Sequence, residues 1–241
     1  MNSLEVHDLE AGYGSLQVLW GVSLTVGAGE IAVVLGPNGA GKSTMLGAIA
    51  GDVRSRGRVV VAGADVSELR SSRRLRSGLA WVPEGRNVFQ YLSVRDNLRM
   101  SAMLAGTQSG YAESEQMVFD LFPAMAEKIS SPAGTLSGGQ QQILAISRAL
   151  VRNPKIALLD EPTVGLAPSI VGRLGEAIAA TKAAGVAWVI TEQNLGWLSG
   201  MADRTYVLQG GRITRSGGPE LIASREAVRR AFFENAESPV A

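Results

Sequence analysis

Three short stretches of this sequence carry residue types that can handle a phosphate group. The first is Gly36-Pro37-Asn38-Gly39-Ala40-Gly41-Lys42-Ser43-Thr44, with the spacing G-x-x-x-x-G-K-[ST] of a nucleotide phosphate loop. Glycines at 36, 39 and 41 let the backbone turn tightly and aim several N–H groups at one anion. Lys42 then reaches the β- and γ-phosphates, and Ser43 offers its hydroxyl to Mg2+. The second stretch is Asp160-Glu161, at the end of the apolar run Ile156-Ala157-Leu158-Leu159. Here Asp160 suits a Mg2+ ion, held directly or through water, and Glu161 a general base that polarises an attacking water. The plainer alternative is an acidic N-cap for the next helix. The third is Leu136-Ser137-Gly138-Gly139-Gln140. Its glycine pair opens a helix and makes a second place for N–H groups to meet an anion; alone, the pair reads more simply as a flexible lead-in. Tyr13, between Gly12 and Gly14, also has two readings. It stacks on a purine or packs partly in a turn, the turn being the simpler for the tripeptide by itself.

The surrounding elements place these groups. Ile31 to Leu35 reads as a buried strand running into the phosphate loop, with a helix opening at Met45. Leu4 to Leu9, Val22 to Val26, Arg58 to Ala62, Leu79 to Val82 and Val186 to Ile190 read as further strands. Thr205 to Leu208 and Arg212 to Thr214 flank Gly210-Gly211 as a hairpin. Helical spacing marks Ser93 to Leu104, Glu113 to Phe122, Gln141 to Val151 and Pro168 to Ala184. Residues 90–147 therefore read as a helical subdomain set between two parts of an α/β core, 1–89 and 148–241, in one domain. In a parallel α/β sheet, ligands bind beyond the carboxyl ends of the strands, which is where Asp160 and Glu161 stand.

Composition narrows the class. With 241 residues, 46% hydrophobic and 19% charged, the chain is long and apolar enough to bury a core. A net charge of +1 gives no case for nucleic acid as a partner. Seven arginines lie between Arg54 and Arg76, but no aromatic there stacks on a base, so they read as a solvated surface. The absence of cysteine removes thiolate chemistry. No secretory signal opens the sequence and no run of 18 apolar residues occurs. The expectation is a cytoplasmic protein able to dock on a membrane protein.

Taken together and in order, Tyr13, the phosphate loop, Leu136 to Gln140 and Leu159-Asp160-Glu161-Pro162 resemble the nucleotide-binding subunit of an ATP-binding-cassette (ABC) transporter. Leu-Ser-Gly-Gly-Gln is the specific part, since other phosphate-loop ATPases and GTPases lack it. More narrowly, Val82-Pro83-Glu84-Gly85-Arg86, Glu161 to Pro168 and Glu192-Gln193-Asn194 are similar to the smaller (F-type) ATPase subunit of branched-chain amino acid importers, with urea and short-amide importers close by. The resemblance implies a P-loop NTPase (RecA-like) core with an N-terminal antiparallel β subdomain and an inserted helical subdomain. It implies ATP and Mg2+ as ligands, with Tyr13 on the adenine and Asn38 to Thr44 around the phosphates. Ser137, Gly138, Gly139 and Gln140 belong to the signature that binds the γ-phosphate held by a second ATPase subunit, paralogue or self, in a head-to-tail dimer. Further partners implied are membrane permease subunits, coupled through the groove near Glu84, and indirectly a solute-binding protein.

Three positions depart from the broader family. Glu84 stands where glutamine is usual as a Mg2+ and coupling residue, Gln193 where histidine is usual, and Leu166-Ala167-Pro168 where the segment normally ends in aspartate. A carboxylate at 84 still ligates Mg2+ through oxygen. Gln193 can donate a hydrogen bond to a γ-phosphate oxygen but cannot carry a proton, which favours Glu161 as the base. All three are usual in the importer subfamily. A soluble non-transport cassette ATPase normally has two cassettes, coiled coils or zinc insertions, none of which is present, and a small-molecule kinase leaves Leu136 to Gln140 unexplained.

Overall fold

Strands buried on both faces form the centre of the protein, because parallel strands flanked by helices need apolar residues on each side. The computed structural model describes residues 2–85, 87–107, 109–192, 195–198 and 200–233. In chain order the strands are β1 (Asn2–Tyr13), β2 (Leu16–Gly27), β3 (Ile31–Leu35), β4 (Ser55–Val61), β5 (Ala64–Asp65), β6 (Leu79–Val82), β7 (Ile156–Asp160), β8 (Ala187–Thr191), β9 (Arg204–Gln209) and β10 (Arg212–Gly217). The helices are α1 (Lys42–Ala50), α2 (Ser71–Arg76), α3 (Val94–Ala105), α4 (Tyr111–Leu121), α5 (Pro123–Glu127), α6 (Gly138–Leu150), α7 (Pro168–Ala183) and α8 (Arg225–Phe233). One sheet is antiparallel, ordered β2-β1-β4-β5. The other is ordered β10-β9-β3-β8-β7-β6, parallel from β9 to β6 with β10 antiparallel at its edge.

Alternation along the parallel strands divides the core in two. Ile31, Val33, Leu35, Leu159 and Ile190 face Leu98, Leu144 and Ile178 of the helices. Ala32, Val34, Leu158 and Val189 face Leu46 and Ile49 of α1 and, beyond them, Leu4, Val6 and Leu24 of the antiparallel sheet. The phosphate-loop helix is thus held between the two sheets. Among the described residues, no helix is long and apolar enough to cross a membrane.

One alternative falls and one expectation changes. The glycine pair is no flexible lead-in: Gly138 and Gly139 are the first two residues of α6, fixed by a capping box between Ser137 and Gln140. The arginine-rich segment is only partly a solvated surface. Arg74 is 3% exposed. Its guanidinium donates to Ala48 O (2.9 Å), Ile49 O (3.0 Å), Leu69 O (2.9 Å) and Ser67 O (2.5 Å). The first two are carbonyls of the last turn of α1, at the negative end of the helix dipole, and Ala48 O also accepts from the C-cap Gly51 N–H at 3.1 Å. Burial lowers the Arg74 pKa from the usual arginine value, opposed by Glu68 and Asp65. Removing this side chain takes a donor from four carbonyls, and a buried one left unsatisfied costs about 1–3 kcal/mol. Arg74→Ala is therefore expected to lower stability by about 3 kcal/mol, or Tm by about 6–12 °C for a domain of this size. Thermal unfolding followed by circular dichroism checks this; an unchanged Tm contradicts the capping role.

Candidate nucleotide site

The carboxyl ends of β3, β6, β7 and β8 converge on one cleft of about 900 Å³, lined by Tyr13, Asn38, Lys42, Ser43, Glu84, Glu161 and Glu192 among others. The loop 36–41 leaves β3 and turns into α1. Two of its glycines are required by space. A Cβ on Gly36 would lie 2.6 Å from the backbone oxygen of Leu208. Gly41 sits at φ 103 as the N-cap of α1, and a Cβ there would lie 2.8 Å from Leu19 Cδ2. Ala40 is buried, and its N–H donates to Pro37 O at 3.1 Å, which closes the loop on itself. Pro37, Asn38 and Gly39 are exposed at its tip.

Lys42 is 5% exposed and lies across the cradle. Its Nζ donates to Gly36 O at 2.8 Å and Pro37 O at 3.3 Å, and pairs with Glu161 Oε1 at 3.1 Å. The lysine that would hold phosphate is thus engaged by the carboxylate that would activate water. Ser43 is exposed to the cleft, whereas Thr44 is buried with its Oγ1 3.5 Å from the Tyr13 hydroxyl. The Tyr13 ring is 55% exposed beside Leu16 and Val18, open to a flat ligand.

The β7 end is held by the β8 end. Asp160, 2% exposed, accepts from Thr191 Oγ1 at 2.7 Å. Glu161 N donates to Thr191 O at 3.0 Å and Thr191 Oγ1 at 3.2 Å. Glu161 has φ 43, the left-handed region that a non-glycine residue enters at a cost of about 1–3 kcal/mol and that clusters at functional sites. The helix after β7 begins only at Pro168 with Ala167 as its N-cap, so neither Asp160 nor Glu161 caps it.

Of the oxygen donors suited to Mg2+, Ser43 and Glu84 line this cleft, a hydroxyl and a carboxylate as that ion accepts alongside phosphate and water, whereas Asp160 is buried on Thr191 and is not among the lining residues. Among the described residues, no group of three or more His, Cys, Asp and Glu could hold a metal. The described lining has three carboxylates, Glu84, Glu161 and Glu192, against Lys42. That balance suits a triphosphate entering with its divalent cation over a bare one.

The remaining residues of the signature stand apart. Ser137, Gly138, Gly139 and Gln140 do not line this cleft. They form the start of α6, where Ser137 N donates to Gln140 Oε1 at 3.0 Å and Gln140 N to Ser137 Oγ at 3.3 Å. Gln193 lies outside the described residues. Sequence reasoning gave no role to Thr163, Thr191 or Glu192, which the fold brings together around Asp160 and Glu161. The available signal was position: Thr191-Glu192 follow an apolar strand just as Asp160-Glu161 do.

Comparison with known proteins agrees with this geometry. Residues 19–164 match the ABC transporter family. The chain is 41% identical over 222 residues to the high-affinity branched-chain amino acid transport ATP-binding protein BraG of Pseudomonas aeruginosa, covering 92% of this chain and 95% of that protein. It is 32% identical over 235 residues to the lipopolysaccharide export system ATP-binding protein LptB of Haemophilus influenzae, covering 97% and 98%. Its fold matches the ADP conformation of MJ1267, an ATP-binding cassette of an ABC transporter, with a TM-score of 0.82 at 25% identity over 98% of this chain and 100% of the other. The α/β fold described above is that of a P-loop NTPase, and with this family match over most of its length the chain belongs to the ABC transporter family, as an ATP-hydrolysing subunit.

Proposed function

We propose that this chain powers the uptake of branched-chain, hydrophobic amino acids through separate permease subunits, as one half of a head-to-tail ATPase pair at the inner face of the cell membrane. The observation that carries the solute class is the similarity to BraG along nearly the whole of both chains. The similarity to LptB, at lower identity, makes lipopolysaccharide export the second reading.

In this reading ATP lies in the cleft, adenine against Tyr13 and phosphates in the loop from Asn38 to Thr44. Mg2+, held by Ser43 and Asp160 with Glu84 at its side, would offset charge on the phosphates. Lys42 transfers from Glu161 to the β- and γ-phosphates. Glu161, released, takes the proton of the water that attacks the γ-phosphorus. Gln193 senses the γ-phosphate. Ser137, Gly138 and Gly139 serve the partner's ATP, because in their own chain they lie away from the cleft while α6 presents the positive end of a 13-residue helix.

The permease surface is assigned to a groove of about 620 Å³ lined by Leu92, Asp96, Arg99, Met100, Met103 and Tyr111. Met103 and Leu104 are 55% and 56% exposed beside it. Methionine side chains adapt to a partner surface, and Leu92 of the groove stands eight positions after Glu84 of the cleft. Disrupting this chain in its source cells should remove energised uptake of labelled leucine, isoleucine and valine. The unaltered chain restores it and Lys42→Ala does not. Uptake at the parental rate would overturn the solute reading, and a membrane pull-down that recovers no permease would overturn the partnership.

A further inference from the structure

Glu192 is a buried carboxylate, 2% exposed, immediately after Thr191 at the end of β8. Its Oε1 accepts two hydrogen bonds from a single residue of the facing loop, from Thr163 Oγ1 at 2.6 Å and from Thr163 N at 3.2 Å. Thr163 stands two residues beyond Glu161. Thr191 grips the same strand end from the other side, through Asp160 and the Glu161 N–H. Thr191, the last residue of β8, and Glu192 just after it thus hold positions 160, 161 and 163.

This grip bears on Glu161 through its backbone. A left-handed non-glycine residue persists only where its surroundings over-determine it, and Glu161 has φ 43. Thr191 fixes the peptide on one side of that residue. The Glu192–Thr163 contact fixes the chain on the other. A buried carboxylate is costly unless it is hydrogen-bonded, and the short contact to Thr163 Oγ1 has the length of a charge-assisted bond.

We propose that Glu192 is a positioning residue for ATP hydrolysis: through Thr163 it holds Glu161 in the strained conformation that aims its carboxylate at the attacking water. The inference rests on Glu161 as the base.

The test is steady-state phosphate release by the full chain, with ATP affinity measured separately. Thr163→Val keeps the shape and the backbone N–H and removes one donor. It should lower kcat about tenfold, the scale of a small misplacement of a catalytic group, with the KM for ATP and nucleotide affinity changed less than about twofold. Glu192→Leu should do the same or more, and Glu192→Gln, which keeps an acceptor oxygen, should recover kcat to within about threefold. The double variant Thr163→Val/Glu192→Leu should be no slower than the slower single variant, since both remove one contact. An unchanged kcat in Thr163→Val overturns the proposal. So do losses that multiply in the double variant, a raised KM with kcat intact, or Glu192→Gln as slow as Glu192→Leu. Glu161→Gln, run alongside, separates the two ideas: if it hydrolyses ATP normally, the base assignment fails whatever the Thr163 variants do.

Discussion

Glu161→Gln should release phosphate from ATP about 10²- to 10³-fold more slowly than the unaltered chain, the usual contribution of a positioned general base, while binding nucleotide at least as tightly. The first half follows from the position of Glu161 at the carboxyl end of β7, facing the cleft beside Lys42. Glutamine keeps the shape and the hydrogen-bonding oxygen but cannot take a proton at neutral pH. The second half follows from the 3.1 Å pair between Lys42 Nζ and Glu161 Oε1. The two side chains are only 5% and 12% exposed, so their attraction is poorly screened and a nucleotide must displace it. Neutralising Glu161 leaves Lys42 free of that competitor and removes one negative charge from the path of the phosphates. A phosphate-release assay and a nucleotide titration on the same preparation decide both halves. Near-normal release refutes the base. Slow release with weakened binding refutes the view that the ion pair competes with nucleotide.

Lys42→Ala should lose ATP affinity by about 10- to 100-fold, the value of one or two charge-assisted hydrogen bonds to phosphate. In the cradle, the ammonium group already satisfies Gly36 O and Pro37 O and balances Glu161. Alanine leaves those carbonyls without this donor and leaves the lining carboxylates without a lysine among them, so the cleft turns against a polyanion. Titration with a non-hydrolysed ATP analogue gives the affinity directly. Unchanged binding would show that the loop from Gly36 to Thr44 is not where the phosphates sit. The two substitutions also differ in a way that tests the ion pair itself: removing the carboxylate favours nucleotide and removing the ammonium disfavours it, although both break the same contact.

Much of the site is legible before any fold is known, and for a local reason. Glycine spacing from 36 to 41, the lysine that follows and the apolar strand that precedes them are contiguous, so backbone freedom and chain direction settle their geometry together. Helix starts behave the same way: Ser93 accepts from the Asp96 N–H, and Ser137 and Gln140 close a box over three residues. Even so, short-range reading starts this helix at Gln141, whereas the Ser-x-x-Gln cap brings Gly138 and Gly139 into it. Strand lengths were underestimated too. β1 and β2 run to 12 residues each, well past the Leu4 to Leu9 and Val22 to Val26 segments, because pairing with a partner strand carries polar residues into a ladder that their own pattern does not mark.

The amino-acid sequence alone determined which chemistry this protein performs: a phosphate loop, a strand-end Asp160-Glu161 pair and a Ser-Gly-Gly helix start are each written in a few consecutive residues. Tertiary structure alone decided which of those groups meet. β8 lies between β3 and β7 in the sheet, and that order lays Glu192 against Thr163, 29 positions away. It likewise sets Lys42 against Glu161 and, on the far side of the same helix, buries Arg74 against the last turn of α1. Contacts between distant residues follow from strand order and helix packing, and no local pattern of residue types encodes either.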